Sequence, residues 1–424
     1  MKIEIISTGD EIITGQIVDT NANWLCQQLF SHGVQPQRLH TVADQLDALV
    51  AVFQEAAQRS DVVLVNGGLG PTSDDLSSEA AAKALVVPLE LNQDWLEVMT
   101  QKFAKQGRTM APANRKQALL PAGADVIDNP RGTACGFSIV LGRARFYFTP
   151  GVPHEFKHMF SELIWPDIAK RFDLVSQLSQ HKITTFGLGE SGIHQLIKDV
   201  PISEGIHLGY RTAAPEIEVK LIGANPQAIA DSAEQIEHAL ADYALFNNHQ
   251  ADCLASHIQQ LMLSRGETLA LAESCTGGMI ASSLVAISGS SGYLDRAMVT
   301  YSNQAKQDLV GVSEATLAQF GAVSEATARK MAQGAKQSGH TDYALSVTGI
   351  AGPTGGTPDK PVGTVAFALA TPSETISQIL VLPAKSRTIT RKIAATIALD
   401  MLRRHLTGLN VIGQYDFARP WLDK

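Results

Sequence analysis

Residues 269–306, LALAESCTGGMIASSLVAISGSSGYLDRAMVTYSNQAK, carry the strongest structural signal in the chain. Thr268 to Leu271 has the apolar character of a short buried strand, and Met279 to Ile287 has that of a helix. A polar turn with two adjacent glycines separates these two segments. The pattern therefore predicts a strand-to-helix junction with Ser274 on its turn.

The residue types around this junction indicate nucleophilic catalysis. Such a turn directs backbone N–H groups and the positive end of a helix dipole at one point, which suits an anion or a developing oxyanion. Ser274 needs a base to act as a nucleophile, and no histidine occurs between it and His340. Lys306 is the predicted base if burial lowers its pKa. Tyr301, five residues earlier, could relay or orient the proton.

Simpler explanations stay open for the same residues. Ser274 and Thr276 could merely cap the helix, with Lys306 a solvated surface lysine. A Ser/Lys pairing is also rarer than a Ser/His pairing. Cys275 is a further candidate nucleophile, although a lone cysteine is more often a small, inert apolar residue.

Three motifs of this region resemble the C-terminal domain of the CinA family, the competence/damage-inducible proteins. They are AESCTGG (272–278), VTYSNQAK (299–306) and TGIAGPTGGTPDKPVGTV (348–365), and the resemblance covers about residues 252–405. It implies a nicotinamide mononucleotide amidohydrolase that releases ammonia, leaves nicotinic acid mononucleotide and needs no cofactor. By the same resemblance Ser274 is the nucleophile, Lys306 the general base and Tyr301 the assisting hydroxyl. The substrate-binding residues that we predict are Thr276, Gly277, Gly278, Asn303, Gly349, Ala351, Gly352, Arg387 and Arg391.

A mononucleotide also needs a receptor for its phosphate. Arg387 and Arg391 lie four residues apart at the start of a predicted helix, where positive charge opposes the dipole, so we predict that they bind phosphate. The loop 348–363 is too rich in glycine and proline for regular structure, and its N–H groups could hold the phosphate or the carboxamide. The alternatives are a solvated helix face and a mobile hairpin loop.

Length and composition describe a globular protein. The 424 residues are 45% hydrophobic and 18% charged, which fits two to four ordinary domains. A net charge of −8 argues against nucleic acid as a partner. The four cysteines show no CxxC spacing, so neither a zinc site nor a disulfide framework is predicted. No signal segment or apolar run of membrane-spanning length is present, and we expect a cytoplasmic protein with no membrane partner.

The first 171 residues predict a second ligand site. Strands at Lys2 to Ser7 and Val62 to Val65 alternate with helices, as in an α/β domain with a mostly parallel sheet. Ligands of such sheets gather beyond the carboxyl ends of the strands. A glycine-rich turn after the second strand suits a nucleotide phosphate, and nearby carboxylates suit a divalent cation such as Mg, Mn or Co. The predicted nucleotide residues are Gly67, Gly68, Gly70 and Thr72, and Asp74 and Asp75 are the carboxylates predicted to bind the metal. The alternative is a tight turn followed by an aspartate helix cap.

Four further motifs resemble the N-terminal domain of the same family, whose fold is that of molybdopterin-binding proteins. They are TGDEIITGQIVDTNA (8–22), GGLGPTSDD (67–75), NPRGTACGF (129–137) and PGVPHEF (150–156). In part of the family this domain is a metal-dependent ADP-ribose pyrophosphatase. The resemblance therefore implies ADP-ribose as a second candidate substrate, and it adds Asp44 to Asp74 and Asp75 as a predicted metal ligand.

Taken together, the sequence predicts an α/β protein of three domains. These are a molybdopterin-binding-like domain (1–171), a small α+β connecting domain resembling KH domains (172–248) and an α/β amidohydrolase domain (249–411), followed by a tail (412–424). The connecting domain lacks a GXXG loop flanked by basic residues, so we predict a spacer or dimer contact and a homodimer. The alternatives to amide hydrolysis are a pyrophosphatase alone, or a pterin- or nucleotide-binding protein without turnover.

Overall fold

A computed structural model describes residues 1–174, 178–384 and 386–421. The chain divides into two compact units, Met1–Leu178 and Ser179–Lys424. The predicted connecting domain therefore shares a unit with the C-terminal domain. The last residues of the predicted tail, 422–424, lie outside the described residues. Within the described residues, no helix combines the length and the apolar character that crossing a bilayer requires.

The first unit is an α/β domain, as predicted. Its strands are β1 (Ile3–Thr8), β2 (Arg38–Val42), β3 (Val62–Asn66), β4 (Leu89–Leu91), β5 (Leu119–Pro121), β6 (Asp125–Ile127), β7 (Gly136–Leu141) and β8 (Ala144–Thr149). Its helices are α1 (Asp10–Ile13), α2 (Thr20–Ser31), α3 (Leu46–Arg59), α4 (Ser77–Leu85), α5 (Gln93–Lys105), α6 (Pro153–Met159) and α7 (Trp165–Arg171).

A six-stranded sheet of order β2-β1-β3-β8-β7-β6 forms the centre of this unit. The first four strands in that order run parallel, and β7 and β6 are antiparallel additions. One apolar cluster, with Phe53 of α3 and Trp95 of α5, covers one face. Another, with Leu25 of α2 and Phe156 of α6, covers the other. Burial on both faces explains why every residue of β1 and β3 is buried and why most of them are apolar.

The second unit contains two sheets. Its strands are β9 (Ser179–Thr185), β10 (His207–Ala213), β11 (Glu216–Gly223), β12 (Ala244–Asn247), β13 (Leu269–Glu273), β14 (Leu294–Val299), β15 (Tyr343–Gly349), β16 (Thr364–Ala370), β17 (Thr375–Val381) and β18 (Arg419–Pro420). Its helices are α8 (Glu190–Ile197), α9 (Pro226–Leu240), α10 (Leu254–Arg265), α11 (Met279–Val285), α12 (Asn303–Val310), α13 (Glu314–Phe320), α14 (Glu325–Gly339) and α15 (Arg387–Leu406).

The connecting segment builds an antiparallel sheet of order β10-β11-β9-β12, with α8 and α9 against it. The larger sheet has the order β14-β13-β15-β16-β17-β18. Its first three strands run parallel and the other three are antiparallel. Helix α15, nearly all buried, packs on one face, and α14 packs on the other. The candidate site lies where the parallel strands end.

Candidate active site

Three parallel strands end side by side at one edge of the larger sheet. Strand β13 lies between β14 and β15, so the segments that follow Glu273, Val299 and Gly349 meet there. They surround a cavity of about 350 Å³ whose wall includes Ser274 and Lys306. The strand-to-helix junction predicted from the sequence is confirmed, with β13 ending at Glu273 and α11 beginning at Met279.

Lys306 and Ser274 are in direct contact. The Lys306 side chain comes from the second turn of α12, whose start is capped by Ser302, and the residue is 1% exposed. Its Nζ lies 3.1 Å from Ser274 Oγ and 2.9 Å from the carbonyl oxygen of Thr300. Burial lowers the pKa of Lys306. The alternative of a solvated surface lysine is therefore wrong.

The turn after Ser274 leaves N–H groups available beside the nucleophile. Gly277 and Gly278 both have positive φ, at 59° and 86°, which glycine adopts readily. The Ser274 N–H donates to the carbonyl of Val347, and the Gly277 N–H donates back to that of Ser274. Among the residues that the structure describes, no backbone carbonyl accepts a hydrogen bond from the N–H groups of Cys275 and Thr276. They are the candidate donors to an oxyanion.

Cys275 is not a competing nucleophile. Its side chain is buried, and burial raises the pKa of the thiol to about 12. Since the thiolate is the reactive form, this cysteine is inert near neutral pH.

Glu273 is a component of the site that sequence reasoning missed. This carboxylate is 1% exposed, and it accepts hydrogen bonds from the N–H groups of Ile280 (3.2 Å) and Ala281 (2.9 Å). The start of α11 is therefore occupied by an internal anion. The signal available in the sequence was an acidic residue at the end of an otherwise apolar strand, just before a helix.

The two arginines at the start of α15 have different contacts. Arg391 donates from Nε to the carbonyl of Cys275 (3.1 Å) and from Nη2 to that of Thr276. Arg387 lies at the cavity wall, and it donates from Nη1 to the Gly352 carbonyl (2.8 Å) and from Nη2 to the Tyr301 hydroxyl (3.0 Å). Arg391 thus binds two carbonyl groups of the turn that follows Ser274, whereas Arg387 lines the cavity. Phosphate binding by these arginines stays a prediction.

The other predicted residues lie either at the cavity wall or in the turn that follows Ser274. Those at the cavity wall are Tyr301, Asn303, Gly349, Ala351 and Gly352, and those that form the nucleophile turn are Thr276, Gly277 and Gly278. Tyr301 is 62% exposed, and its hydroxyl is bound by Arg387 rather than by Ser274 or Lys306. Its role as the assisting hydroxyl stays a prediction.

A second cavity, of about 470 Å³, lies at the carboxyl ends of β1, β2, β3 and β8 in the first unit. Most of the predicted N-terminal residues line it, namely Asp44, Gly67, Gly68, Gly70, Asp74 and Asp75. Thr72 instead donates from its N–H (2.8 Å) and hydroxyl (2.5 Å) to Asp75 Oδ2. Burial raises the pKa of Asp44, and repulsion from Asp10, Glu11 and Asp74 adds to the effect. No three His, Cys, Asp or Glu side chains cluster as a metal site in the described part of the chain.

Two family models match the chain, one in each half. Residues 4–170 match the family model of a probable molybdopterin binding domain, and residues 251–406 match that of the CinA C-terminal domain. A CinA-like protein from Shewanella piezotolerans is 50% identical over 418 residues, which is 98% of each chain. The chain belongs to the CinA family.

Other CinA-family proteins are similar over different lengths. A protein from Shewanella oneidensis named nicotinamide-nucleotide amidohydrolase PncC is 48% identical over 418 residues, again 98% of each chain. The crystal structure of the competence/damage inducible protein CihA from Agrobacterium tumefaciens is 42% identical, with a TM-score of 0.35. It covers 36% of this chain and 93% of its own.

Proposed function

We propose that the second unit hydrolyses the carboxamide of nicotinamide mononucleotide to nicotinic acid mononucleotide and ammonia by a Ser/Lys mechanism. The observation that carries the proposal is the buried contact between Lys306 Nζ and Ser274 Oγ, at 3.1 Å in the wall of a cavity. The name of the Shewanella oneidensis relative supports the substrate. The cavity of about 350 Å³ is within the usual size range for small-molecule sites.

The proposed reaction proceeds through an acyl-enzyme. Neutral Lys306 takes the proton of Ser274, whose Oγ attacks the carboxamide carbon. The resulting oxyanion accepts hydrogen bonds from the N–H groups of Cys275 and Thr276. The C–N bond then breaks, and Lys306 returns the proton to the leaving nitrogen, which departs as ammonia. Water, deprotonated by Lys306, hydrolyses the ester and restores Ser274.

Three features make the arrangement suitable for this chemistry. The carbonyl of Thr300 orients Lys306, Val347 fixes the backbone of the nucleophile, and Glu273 fixes the start of α11. These groups hold the donors in place before substrate arrives, so no reorganisation is needed in the transition state. Loss of acid–base assistance costs about 10²–10⁴ in rate.

The decisive experiment measures ammonia released from nicotinamide mononucleotide by the full chain in the presence of a chelator. We expect release from the wild type, and loss of at least about 10²-fold in Ser274→Ala and Lys306→Ala. Lys330→Ala, at an exposed lysine of α14, is the matched control and should retain full activity. A folded wild type that binds the mononucleotide without releasing ammonia would be a binding protein, and the amidohydrolase proposal would fail.

We also propose that the first unit is a metal-dependent pyrophosphatase acting on ADP-ribose. Three buried oxygen atoms beside its cavity have no hydrogen-bond partner among the described residues: Thr8 Oγ1, Asn21 Oδ1 and Asp44 Oδ1. Buried hydrogen-bond acceptors normally have a partner. These three oxygen atoms therefore favour either a cation or a ligand that carries hydrogen-bond donors. Hard oxygen ligands fit a divalent cation such as Mg, which would shield the charge of a diphosphate. Asp44 and Asp74 are the carboxylates that we assign to it, because Oδ2 of the third predicted ligand, Asp75, already accepts hydrogen bonds from Thr72.

The test of this second activity is hydrolysis of ADP-ribose to AMP and ribose 5-phosphate. We expect it to be lost with chelator and in Asp44→Asn, and to survive in Ser274→Ala. Asp47→Asn, at an exposed carboxylate of α3, is the control. If chelator or Asp44→Asn also abolished ammonia release, the chain would have one metal-dependent activity rather than two.

A further inference from the structure

The loop from Ile350 to Gly363 forms one wall of the candidate active site. Ile350, Gly352 and Gly355 lie against the cavity, facing the side that carries Ser274. The loop has no regular structure between β15 and β16, although it closes at its base through bonds between Ile350 and Gly363 (2.8 Å) and between Ile350 and Thr364 (2.8 Å). These bonds do not reach the middle of the loop, around Asp359 and Lys360, which is held by other contacts.

Lys360 is the first anchor of the middle of the loop. Its Nζ donates to the carbonyl oxygens of Phe320 (3.0 Å), the last residue of α13, and Val323 (2.8 Å), between α13 and α14. Val323 itself lies at the cavity wall. The Lys360 side chain thus joins the loop to a neighbouring part of the wall through charge-assisted hydrogen bonds, which are the stronger kind.

Trp421 is the second anchor. Its Nε1 donates to the carbonyl of Asp359 (2.8 Å), and its ring centre lies 5.7 Å from Lys360 Nζ, within cation–π range. The backbone of Trp421 donates to Ile379 of β17 (3.2 Å), directly after the short strand β18 pairs with β17. A strand at the sheet edge therefore presents this indole to the loop.

The segment that leads to Trp421 begins against the connecting sheet. Asp416 donates from its N–H to the Gly187 carbonyl (2.7 Å) and accepts through Oδ2 from the Gly189 N–H (2.8 Å). The rings of Tyr415 and Phe417 pack on Phe186, at 5.3 and 5.5 Å between centres. Residues 413–421 thus run from the end of β9 to the loop of the active site, and we call them the strap.

We propose that the strap holds the loop from Ile350 to Gly363 in the conformation that binds substrate, with Trp421 and Lys360 as positioning residues. The proposal rests on the proposed amidohydrolase function. A loop that is already ordered does not lose its freedom when substrate binds, so anchors of this kind strengthen binding. Neither residue touches Ser274 or Lys306, and the effect should fall on substrate affinity rather than on the chemical step.

The experiment compares the full-length wild type with Trp421→Ala, Trp421→Phe and Lys360→Met, with the exposed Lys330→Met as the matched control. We expect KM for nicotinamide mononucleotide to rise about three- to tenfold in Trp421→Ala and Lys360→Met, with kcat within about twofold, because one or two hydrogen bonds are lost. Trp421→Phe keeps an aromatic ring but lacks the N–H donor, and should fall between the wild type and Trp421→Ala. Lys330→Met should match the wild type.

Two measurements that need no turnover accompany the kinetics. Hydrogen exchange of the amides of Thr357 and Gly363 should accelerate in Trp421→Ala while that of α15 stays unchanged. The dissociation constant of nicotinic acid mononucleotide, measured by calorimetry, should rise by the same factor as KM.

The outcomes separate the strap from the function on which it rests. If the wild type releases no ammonia, the amidohydrolase proposal fails, and calorimetry and exchange still decide the role of the strap. Unchanged affinity in Trp421→Ala and Lys360→Met overturns the proposal, whether or not exchange is faster, because the strap would then be purely structural. A fall in kcat with unchanged affinity overturns it as well.

Discussion

Lys306 shows how the surroundings of a single side chain can change its protonation in the direction that the proposed mechanism requires. A lysine that is 1% exposed has lost its hydration, and the carbonyl of Thr300 and the hydroxyl of Ser274 replace only part of it. Burial therefore favours the neutral amine and lowers the pKa of the group. A neutral amine beside a hydroxyl is what the proposed mechanism requires of its general base.

The pH dependence of turnover follows from this shift. Protonated Lys306 cannot accept the proton of Ser274, so kcat should be low at acid pH and rise through the lowered pKa, below the 10.5 of an ordinary lysine. The stability of the fold depends on pH in the same direction. Between the lowered pKa of Lys306 and the pKa of an ordinary lysine, the unfolded chain binds more protons than the folded chain, so the free energy of unfolding also rises with pH there. A pH profile of kcat tests the prediction, and a limb at the ordinary lysine pKa would contradict it.

At the level of single residues, the sequence predicted the groups whose chemistry is unusual and missed those whose role depends on distant contacts. Ser274 and Lys306 were predicted from residue type and family resemblance, and the structure places them in contact. Trp421 acts on Asp359, 62 positions away, through a bond that no local pattern contains. Arg391 was predicted correctly as a helix-start residue, but its contacts with Cys275 and Thr276 need the three-dimensional fold.

Helix α15 contributes to the site through its first two turns. Its buried interior packs on the sheet, while Arg391 reaches across to the carbonyls of Cys275 and Thr276. Holding the Cys275 carbonyl fixes the peptide group that carries the Thr276 N–H, one of the two candidate oxyanion donors, and holding the Thr276 carbonyl fixes the next peptide group of the same turn. The unfavourable placement of an arginine near a helix start is thereby explained by a contact outside the helix.

Arg391→Ala should therefore lower kcat about tenfold or more, because the oxyanion donors lose their support, and removal of one such donor costs about 10²–10³. Arg391→Lys should recover little, since an ammonium cannot bind two carbonyls in the same planar fork. Steady-state kinetics measure the effect, with the exposed neighbour Lys392→Ala as control. A change confined to KM would instead assign Arg391 to phosphate binding.

The end of α4 offers a prediction about stability. Val86 terminates this helix with φ 60° and ψ 44° and is 88% exposed, although β-branched residues strongly avoid this left-handed region. Val86→Gly should raise the free energy of unfolding by ~1 kcal/mol, because glycine has no Cβ to clash. Urea denaturation measures it, and Val86→Ala, which keeps the Cβ, should give no comparable gain. Equal effects of the two substitutions would contradict the prediction.

Element boundaries were predictable where turn residues mark them. Strand β16 begins at Thr364, directly after Gly363, and ends at Ala370. Helical apolar spacing runs from Pro226 to Leu245 in the sequence and predicts one helix, but α9 ends at Leu240 and residues 244–247 form β12. The apolar spacing continues past Leu240, and only the pairing of β12 with β9 shows that it has become a strand.

In the second unit as a whole, a buried polar network joins the connecting sheet to the C-terminal domain. Asp400 of α15 binds Arg403 (2.8 Å) and the hydroxyl of Tyr415 (3.0 Å). Arg404 binds Asp242 (2.9 Å), which lies between α9 and β12. This network, and the apolar contacts of Phe246 with the large core, explain why two predicted domains form one compact unit.

Asp400→Asn should destabilise the second unit by about 3 kcal/mol, because it leaves the buried guanidinium of Arg403 without its counter-charge. Calorimetry on the full chain should show a lower unfolding temperature for the transition of the second unit alone. Asp308→Asn, at an exposed carboxylate of α12, should leave both transitions in place. A shift of both transitions in Asp400→Asn would mean that the two units unfold together.

The position of Trp421 also gives the protein an intrinsic optical signal. The other three tryptophans, Trp24, Trp95 and Trp165, belong to the first unit, so Trp421 is the single indole of the second. Its emission depends on the local polarity around the Asp359 carbonyl and Lys360. The difference in fluorescence between the wild type and Trp421→Phe thus isolates a reporter in contact with the loop from Ile350 to Gly363, and stopped-flow mixing can follow changes in that loop on substrate binding without any added dye.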